Sequence, residues 1–359
     1  MKTAALDPST RIVSLDQFRG YTVAGMFLVN FIGGFAVVHD VLKHHNTYNS
    51  YADTIMPHFF FAVGFAMRLG MLKGVERNGL SATRTSMLWR GLGLVLLGFV
   101  FYQLDGNYKS WQQLNELGWR GFIEKSFLRS PFQALTHIGV TTIWILPIMH
   151  RRSRDLIVYG AASGLIHLAL SQWFWFEFLM RVRVIDGGPL GFLSWALPTL
   201  AGALAYDAVK HFGPALALKK IWLWGAILSF TGYAISCVHG LEAPPFWPPW
   251  NPVDLWTMTQ RAGSLSYQTF SAGFSLLVYG VFLWLCDIRQ PGFRLAYFTT
   301  LGTNALAGYL IHSMVGDTAS KFAPKDAPLP WVLFITGIYF FVTWLFIRFL
   351  EKRQIYLRL

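Results

Sequence analysis

Charge is scarce in this 359-residue chain: Asp, Glu, Lys and Arg make up 13% of it, about half the share of an ordinary soluble domain. That shortage excludes a water-exposed surface over most of the chain. Acids are scarcer than bases, 18 against 30, which leaves a formal net charge of +12. Cysteine is limited to Cys237 and Cys286. Two cysteines exclude a disulfide framework, and these two fall at opposite ends of neighbouring apolar segments, out of reach of each other. No Cys-x-x-Cys or His-Glu-x-x-His spacing occurs, so no metal site is expected. No internal repeat is visible, which disfavours the inverted-repeat transporters. A cleavable signal peptide is also missing: the first 19 residues are polar and the apolar run after them is long enough to span, so it should act as an uncleaved anchor.

What the chain has in abundance is apolar length. Hydrophobic residues are 54% of it, with 15 Trp and 31 Phe. Runs of about 20 apolar residues, enough to cross a hydrocarbon core of about 30 Å, recur along it. The pattern predicts an all-α, polytopic integral membrane bundle with about ten transmembrane helices, near 20–38, 54–72, 88–104, 132–149, 156–176, 190–209, 221–238, 265–286, 295–316 and 330–349. The fifth carries "FWFEFL", which also suits an interfacial position. With both termini cytoplasmic, the inner segments hold 20 of the 30 Lys and Arg, the asymmetry that the positive-inside rule describes. The +12 charge is then topology and attraction to anionic lipid heads, with no nucleic acid needed. The longest connections, about 105–131, 177–189, 239–264 and 317–329, all fall on the outer side. The third of these, with five Pro and three Trp in "EAPPFWPPWNPVDLWTMTQRAGS", reads as a stiff collar, because Pro fixes the backbone and Trp prefers the membrane–water boundary. One membrane-embedded domain, 1–359, is expected.

In such a chain the informative residues are polar ones placed where lipid makes them costly. Asn30 lies ten residues into the first expected span, about 15 Å along it at 1.5 Å per residue. Asn304 falls near the middle of the ninth, with His312 about 12 Å further outward. Gln133 and His137 occupy the outer turns of the fourth, and Arg261 lies just outside the eighth. The stretch "VLKHHNTYNSYADTIMPHFFFAVGF" sets His44, His45 and Asn49 directly before Asp53 at the outer lip of the second. An intramembrane Asn is often only interhelical glue, and a lone His is often structural. A His pair followed eight or nine residues later by a carboxylate suits proton transfer near neutral pH, and so reads as an active-site lip.

"RIVSLDQFRGYTVAGMFLVN", Arg11 to Asn30, resembles the opening of the transmembrane acetyltransferases related to heparan-alpha-glucosaminide N-acetyltransferase. "HHNTYNSYADTIMPHFFFAVGFAMRL", "QALTHIGVTTIWIL", "GGPLGFLSWALPTLAGALA", "NPVDLWT" and "LGTNALAGYLIH" resemble that family's later blocks, in order. The resemblance runs to about Arg348. It departs where the family's Trp-Asn-Gly reads Tyr48-Asn49-Ser50, and where the His-to-Asp interval is shorter by one or two residues. Spacing from Asn30 favours His44 as the family's catalytic His, and spacing from Asn49 favours His45.

The resemblance implies transfer of acetyl from cytosolic acetyl-CoA, a co-substrate, to an amine or hydroxyl of a sugar or glycan on the outer face. It implies His44 or His45 as general base or transient acyl carrier, Asp53 orienting it, and Asn30 donating to the tetrahedral oxyanion. Asn49, Asn304, His312, His137, Gln133 and Arg261 would line the acceptor cavity. Arg68, Arg90 and Arg19 at inner helix ends would meet CoA phosphates, although Arg there is more often a topology signal, and Asp16 can pair with Arg19. A homodimer stays open, as does N- against O-transfer; the setting that fits is a bacterial inner membrane. The alternative reading is a transporter or flippase for a sugar or lipid-linked substrate, without chemistry. A scaffold subunit is the third, and it has no use for the His–Asp lip.

Overall fold

The structure is a computed structural model that describes residues 12–45, 47–102, 108–128, 131–182 and 184–357. Lys2, Arg11, Arg129, Arg183 and Arg358, which enter the charge count, lie outside the described residues. All regular structure among the described residues is helical. Twelve α-helices follow one another: α1 (Val13–Ile32), α2 (Ile55–Asn78), α3 (Leu80–Tyr102), α4 (Trp111–Leu128), α5 (Ala134–Ile145), α6 (Ser153–Leu170), α7 (Phe176–Val182), α8 (Phe192–Ser236), α9 (Leu265–Leu283), α10 (Ala296–Thr303), α11 (Ala305–Ala319) and α12 (Leu329–Lys352). Short 3-10 and π turns extend several of them.

Six helical stretches are long and apolar enough to cross a membrane: Ala52–Asn78, Leu80–Tyr102, Ser153–Val182, Gly188–Ser236, Leu265–Arg289 and Leu329–Lys352. The flanks of the bundle carry exposed Trp89, Leu96, Val100, Phe230, Phe334 and Phe341. A soluble monomer rarely shows contiguous apolar surface on that scale, whereas lipid accepts it. The helix through "FWFEFL" is one of the six.

Helix α8 holds 45 residues, about 68 Å if straight, more than twice a hydrocarbon core. It is not straight. Gly213 (φ 72°, ψ 163°) breaks it just before Pro214, and residues on both sides of the break, Tyr206 and Val209 with Leu218 and Ile221, share one apolar cluster with α2 and α9. Backbones meet closely where glycine allows it. A Cβ at Gly64 of α2 would lie 1.7 Å from Thr199 O of α8, and one at Gly202 would lie 1.9 Å from Phe61 O. Small residues permit such approach, and this contact holds the α2 N-terminus against the start of α8.

Three expectations about helices are corrected. The first apolar segment leaves helical structure at Gly33, not Val38, so Asn30 lies in the last turn of α1 rather than at mid-helix. Gly33 caps the helix in the αR region, where a Cβ would lie 2.7 Å from Val29 O. The ninth is broken at Asn304 (φ −129°, ψ 45°), which separates α10 from α11. The connection expected over 105–131 contains α4, an exposed helix with a break at Gly118 (φ 61°). Both cysteines are free.

A cavity at the lip of the bundle

Four separate stretches converge at one end of the bundle: the turn after α1, the start of α5, residues 184–187 before α8, and the 239–264 loop. They surround a cavity of about 300 Å³. Its base is formed by Met26, Val29 and Asn30 of α1, Met56 and Phe59 of α2, and Tyr309 of α11; His44, His45, Asp53, Gln133, Asp186, Gln260 and Arg261 line it as well.

Asp53 is positioned by local sequence. Ser50-Tyr51-Ala52-Asp53 forms a reciprocal capping arrangement: the Ser50 N–H donates to Asp53 Oδ2 (2.9 Å), and the Asp53 N–H donates to Ser50 Oγ (3.3 Å). Ser50 Oγ in turn donates to Lys43 O (2.7 Å), which ties the His44 segment to the head of α2. The phenol of Tyr267 donates to Asp53 O (2.6 Å). Asp53 is 1% exposed, and its Oδ1 is left to face His44 Nδ1 at 2.8 Å.

The adjacent histidines differ. His45 Nε2 donates to Asp40 O (2.8 Å) and its ring stacks on Tyr48 at 4.3 Å, so it fastens the loop to itself. His44 bridges two functional groups. Its Nδ1 donates to Asp53, and its Nε2 lies 3.3 Å from Asn30 Oδ1. The ring borders the cavity and 47% of it is accessible, although protein packs around the cavity itself. Burial taken alone would lower the His44 pKa; the hydrogen bond and charge of Asp53 outweigh it, Asp186 adds a smaller push, and the net result is a pKa raised above 6.5.

A chain of donors and acceptors gives these contacts a direction. Tyr309 O can only accept, so His312 Nδ1, 2.5 Å away, carries the proton. Neutral His312 then offers a lone pair at Nε2, which takes a hydrogen from Asn30 Nδ2 (3.3 Å). This turns Asn30 Oδ1 toward His44, whose Nε2 must donate as well. His44 therefore donates from both nitrogens and is an imidazolium in this arrangement, in accord with its raised pKa. To act as a base it must release the Nε2 proton, leaving a lone pair opposite Asn30 Oδ1 into which an incoming N–H or O–H can insert.

The remaining candidates separate into two groups. Gln133 and Arg261 line the cavity, and Arg261 Nη2 donates to Leu179 O (3.2 Å) and Met180 O (2.6 Å), tying the collar to the end of α7. His312, His137 and Asn49, expected in the lining, fall outside it: His312 lies behind Asn30, with its ring on Phe27. His137 is buried one turn beyond Gln133, beside Trp195. Asn49 is 2% exposed and its carbonyl accepts from Phe246 N (3.1 Å), which holds the collar against the His44 loop.

Asn304, Arg68, Arg90 and Arg19 do not join them. Asn304 grips the C-terminal tail, donating to Ile355 O (2.9 Å) and accepting from Leu357 N (3.1 Å). Arg68, about 22 Å along α2 from Asp53, is 4% exposed. It makes a bidentate pair with Asp207 (2.8 and 2.9 Å) and donates to Met149 O (2.5 Å). A phosphate would have to compete with this buried pair. Arg19 lies on the second turn of α1 and Arg90 is exposed on α3, both away from the cavity lining. The sequence reading missed Asp186, Gln260 and Tyr309. Asp186 left one trace: an acid beside Gly187-Gly188 in an otherwise apolar connection.

No family model matches the chain, and no curated protein matches it.

Proposed function

We propose that the chain is a transmembrane acetyltransferase of the kind its opening motif resembles. It moves acetyl from cytosolic acetyl-CoA to an amine or hydroxyl of a sugar or glycan on the other side. The supporting observation is His44 held between Asp53 (2.8 Å) and Asn30 (3.3 Å) in a cavity at the lip of an apolar helical bundle. In this reading ten segments cross the membrane, with α8 crossing twice about Gly213 and α10–α11 once. Both termini and the basic ends of the helices face the cytosol, as the Lys and Arg distribution favours.

The chemistry follows from the contacts. Neutral His44 takes the proton of the acceptor as its nitrogen or oxygen attacks the thioester carbonyl, and returns it to the departing thiolate. Asp53 holds the ring by Nδ1 and stabilises the imidazolium that forms. Asn30 gives one amide hydrogen to His312 and has a second for the tetrahedral oxyanion, a donor whose loss typically costs about 10²–10³ in rate. Cations at the basic ends suit an anionic nucleotide; Arg90, expected at an inner end, falls at the middle of α3, and Arg68 is already paired with Asp207.

Purified protein incubated with acetyl-labelled acetyl-CoA and glucosamine-containing acceptors should form labelled acetyl-sugar. Substrate movement in proteoliposomes with no CoA requirement and no labelled product would instead establish the transporter reading.

A further inference from the structure

Asp186 is the acidic group of the cavity that the His44 chemistry leaves unused. The backbone there is costly: Asp186 has φ 57°, and Gly187 and Gly188 follow with φ 80° and 59°. A non-glycine residue in the left-handed region costs about 1 kcal/mol or more and persists where its surroundings impose it. They do so here. Asp186 O accepts from Trp195 Nε1 (2.8 Å), and the Gly187 N–H donates to Arg261 O (3.0 Å). Asp186 Oδ1 accepts from Gln260 Nε2 (2.6 Å), while Oδ2 makes no hydrogen bond among the described residues. The residue is 6% exposed and lines the cavity. Asp186 forms no salt bridge among the described residues, and the His44 ring, whose charge reaches it, is hydrogen-bonded to Asp53 and faces Asn30. A buried carboxylate without a directly bonded cation is destabilising, and such groups concentrate where a ligand supplies what is missing.

We propose that Asp186, braced by Gln260, receives the ammonium group of an amine acceptor and takes its first proton, so that the cavity selects amines over hydroxyls. This deepens the acetyltransferase reading and rests on it for the transfer step. An amine arrives as R–NH3+ and must lose two protons to become an amide; a hydroxyl loses only one. Asp186 takes the first, giving R–NH2 and a neutral carboxylic acid. The amine nitrogen then attacks the thioester carbonyl. As the N–C bond forms, His44 takes the second proton and passes it to the thiolate released when the C–S bond breaks. Asp186 returns its proton to water, so the balance is amide, thiol and one proton. Burial pushes the Asp186 pKa up to about 6, against the opposing pull of Gln260 and His44, and Asp53 raises it further. The group is thus ionised at neutral pH yet more basic than an ordinary carboxylate. The other titratable or charged neighbours are Arg261 of the collar, Tyr309 of α11, Tyr102 of α3, Tyr267 of α9, His45, and His137 of α5, whose ring adjoins Gly191.

The test uses a matched pair, methyl glucosaminide and methyl glucoside, with acetyl-CoA and the full-length protein. Asp186→Asn keeps the shape and tolerates the left-handed backbone. It should lower kcat/KM for the amine by about 10²-fold or more and hydroxyl transfer by at least about tenfold less than that, with Asp186→Glu restoring part of the amine rate. Calorimetric binding of methyl glucosaminide should weaken in Asp186→Asn but persist in His44→Ala. Unchanged amine kinetics, equal losses on both acceptors, or wild-type transfer to hydroxyls alone would overturn the proposal while the acetyltransferase reading stands. Asp186-dependent binding of the amine without acetyl transfer would sink the acetyltransferase reading and leave the ammonium site in place. Neither binding nor transfer would remove both.

Discussion

Two polar clusters, about 22 Å apart along α2, show how burial alone misleads. At the basic end, Arg68 and Asp207 are 5% and 16% exposed. Met149 O accepts from the guanidinium, and Ser153 Oγ donates to Asp207 Oδ2 (2.8 Å). Each charge is answered by protein. At the lip, Asp53 is buried as deeply as Arg68, but its partner His44 keeps about half its surface toward a cavity, and Asp186 keeps an oxygen unbonded. Both clusters are ionic and both join distant segments. They differ in open valence: the Arg68–Asp207 pair has its hydrogen bonds filled within the fold, and the lip holds groups with a position still open toward the cavity.

The widest separation between the clusters should come from His44→Ala. General acid–base groups contribute about 10²–10⁴ in rate, so acetyl-sugar formation should fall by that factor, while the melting temperature falls less than in Asp207→Ala because water can take the place of the half-exposed ring beside Asp53. The pH profile sharpens this. In the proposed reaction His44 accepts a proton only when neutral, and its pKa is raised, so kcat/KM should rise with pH through a limb centred above 6.5 and be lost as pH falls through it. Asp53→Asn removes the hydrogen bond and charge that do the raising and leaves burial to oppose them, so the limb should move to lower pH while the plateau drops. A limb that stays in place in Asp53→Asn would detach Asp53 from the titrating group.

At the basic end the reverse is expected. Asp207→Ala strands a buried guanidinium, a change that typically costs about 3–5 kcal/mol of stability. Unfolding in detergent should report that loss, and the protein that remains folded should keep its turnover and its pH limb. If Asp207→Ala instead raises KM for acetyl-CoA with stability intact, Arg68 and Asp207 belong to a nucleotide site and the contrast between the two ends fails.

Much of this contrast was legible in sequence, and the misses have physical causes. Apolar runs located the helices because lipid-spanning length is a one-dimensional property. His44, Asp53 and Asn30 were legible because polar groups beside apolar runs are costly there. Asn304 has the same composition signal as Asn30, but its partners, Ile355 and Leu357, lie about 50 residues away in sequence and give no local sign. The Arg68 partner Asp207 is 139 residues distant, so Arg68 read as a free inner-end cation. Asn30 was placed at mid-helix because hydropathy continues through Phe35, Val37 and Val38, whereas Gly33-Gly34 already ends the helix. Asp186 needed the fold itself, since its role depends on Gln260 coming 74 residues later to the same wall.

The finest test of open valence lies within one dipeptide. His44 and His45 share a loop, and sequence spacing could not choose between them. Both ring nitrogens of His44 are directed at Asp53 and Asn30, whereas His45 spends Nε2 on Asp40 O and its face on Tyr48. Replacing His45 with Ala removes one neutral hydrogen bond, worth about 1 kcal/mol, and one ring contact of about 0.5–1.5 kcal/mol. The loop loosens, so turnover should fall less than about tenfold and the pH limb set by His44 should not move. His45→Gln, which can still donate to Asp40 O, should recover part of the loss. A His45→Ala enzyme as inactive as His44→Ala, with no recovery in His45→Gln, would mean that the two rings exchange places during the reaction, and that a bond satisfied within the resting fold does not mark a residue as structural.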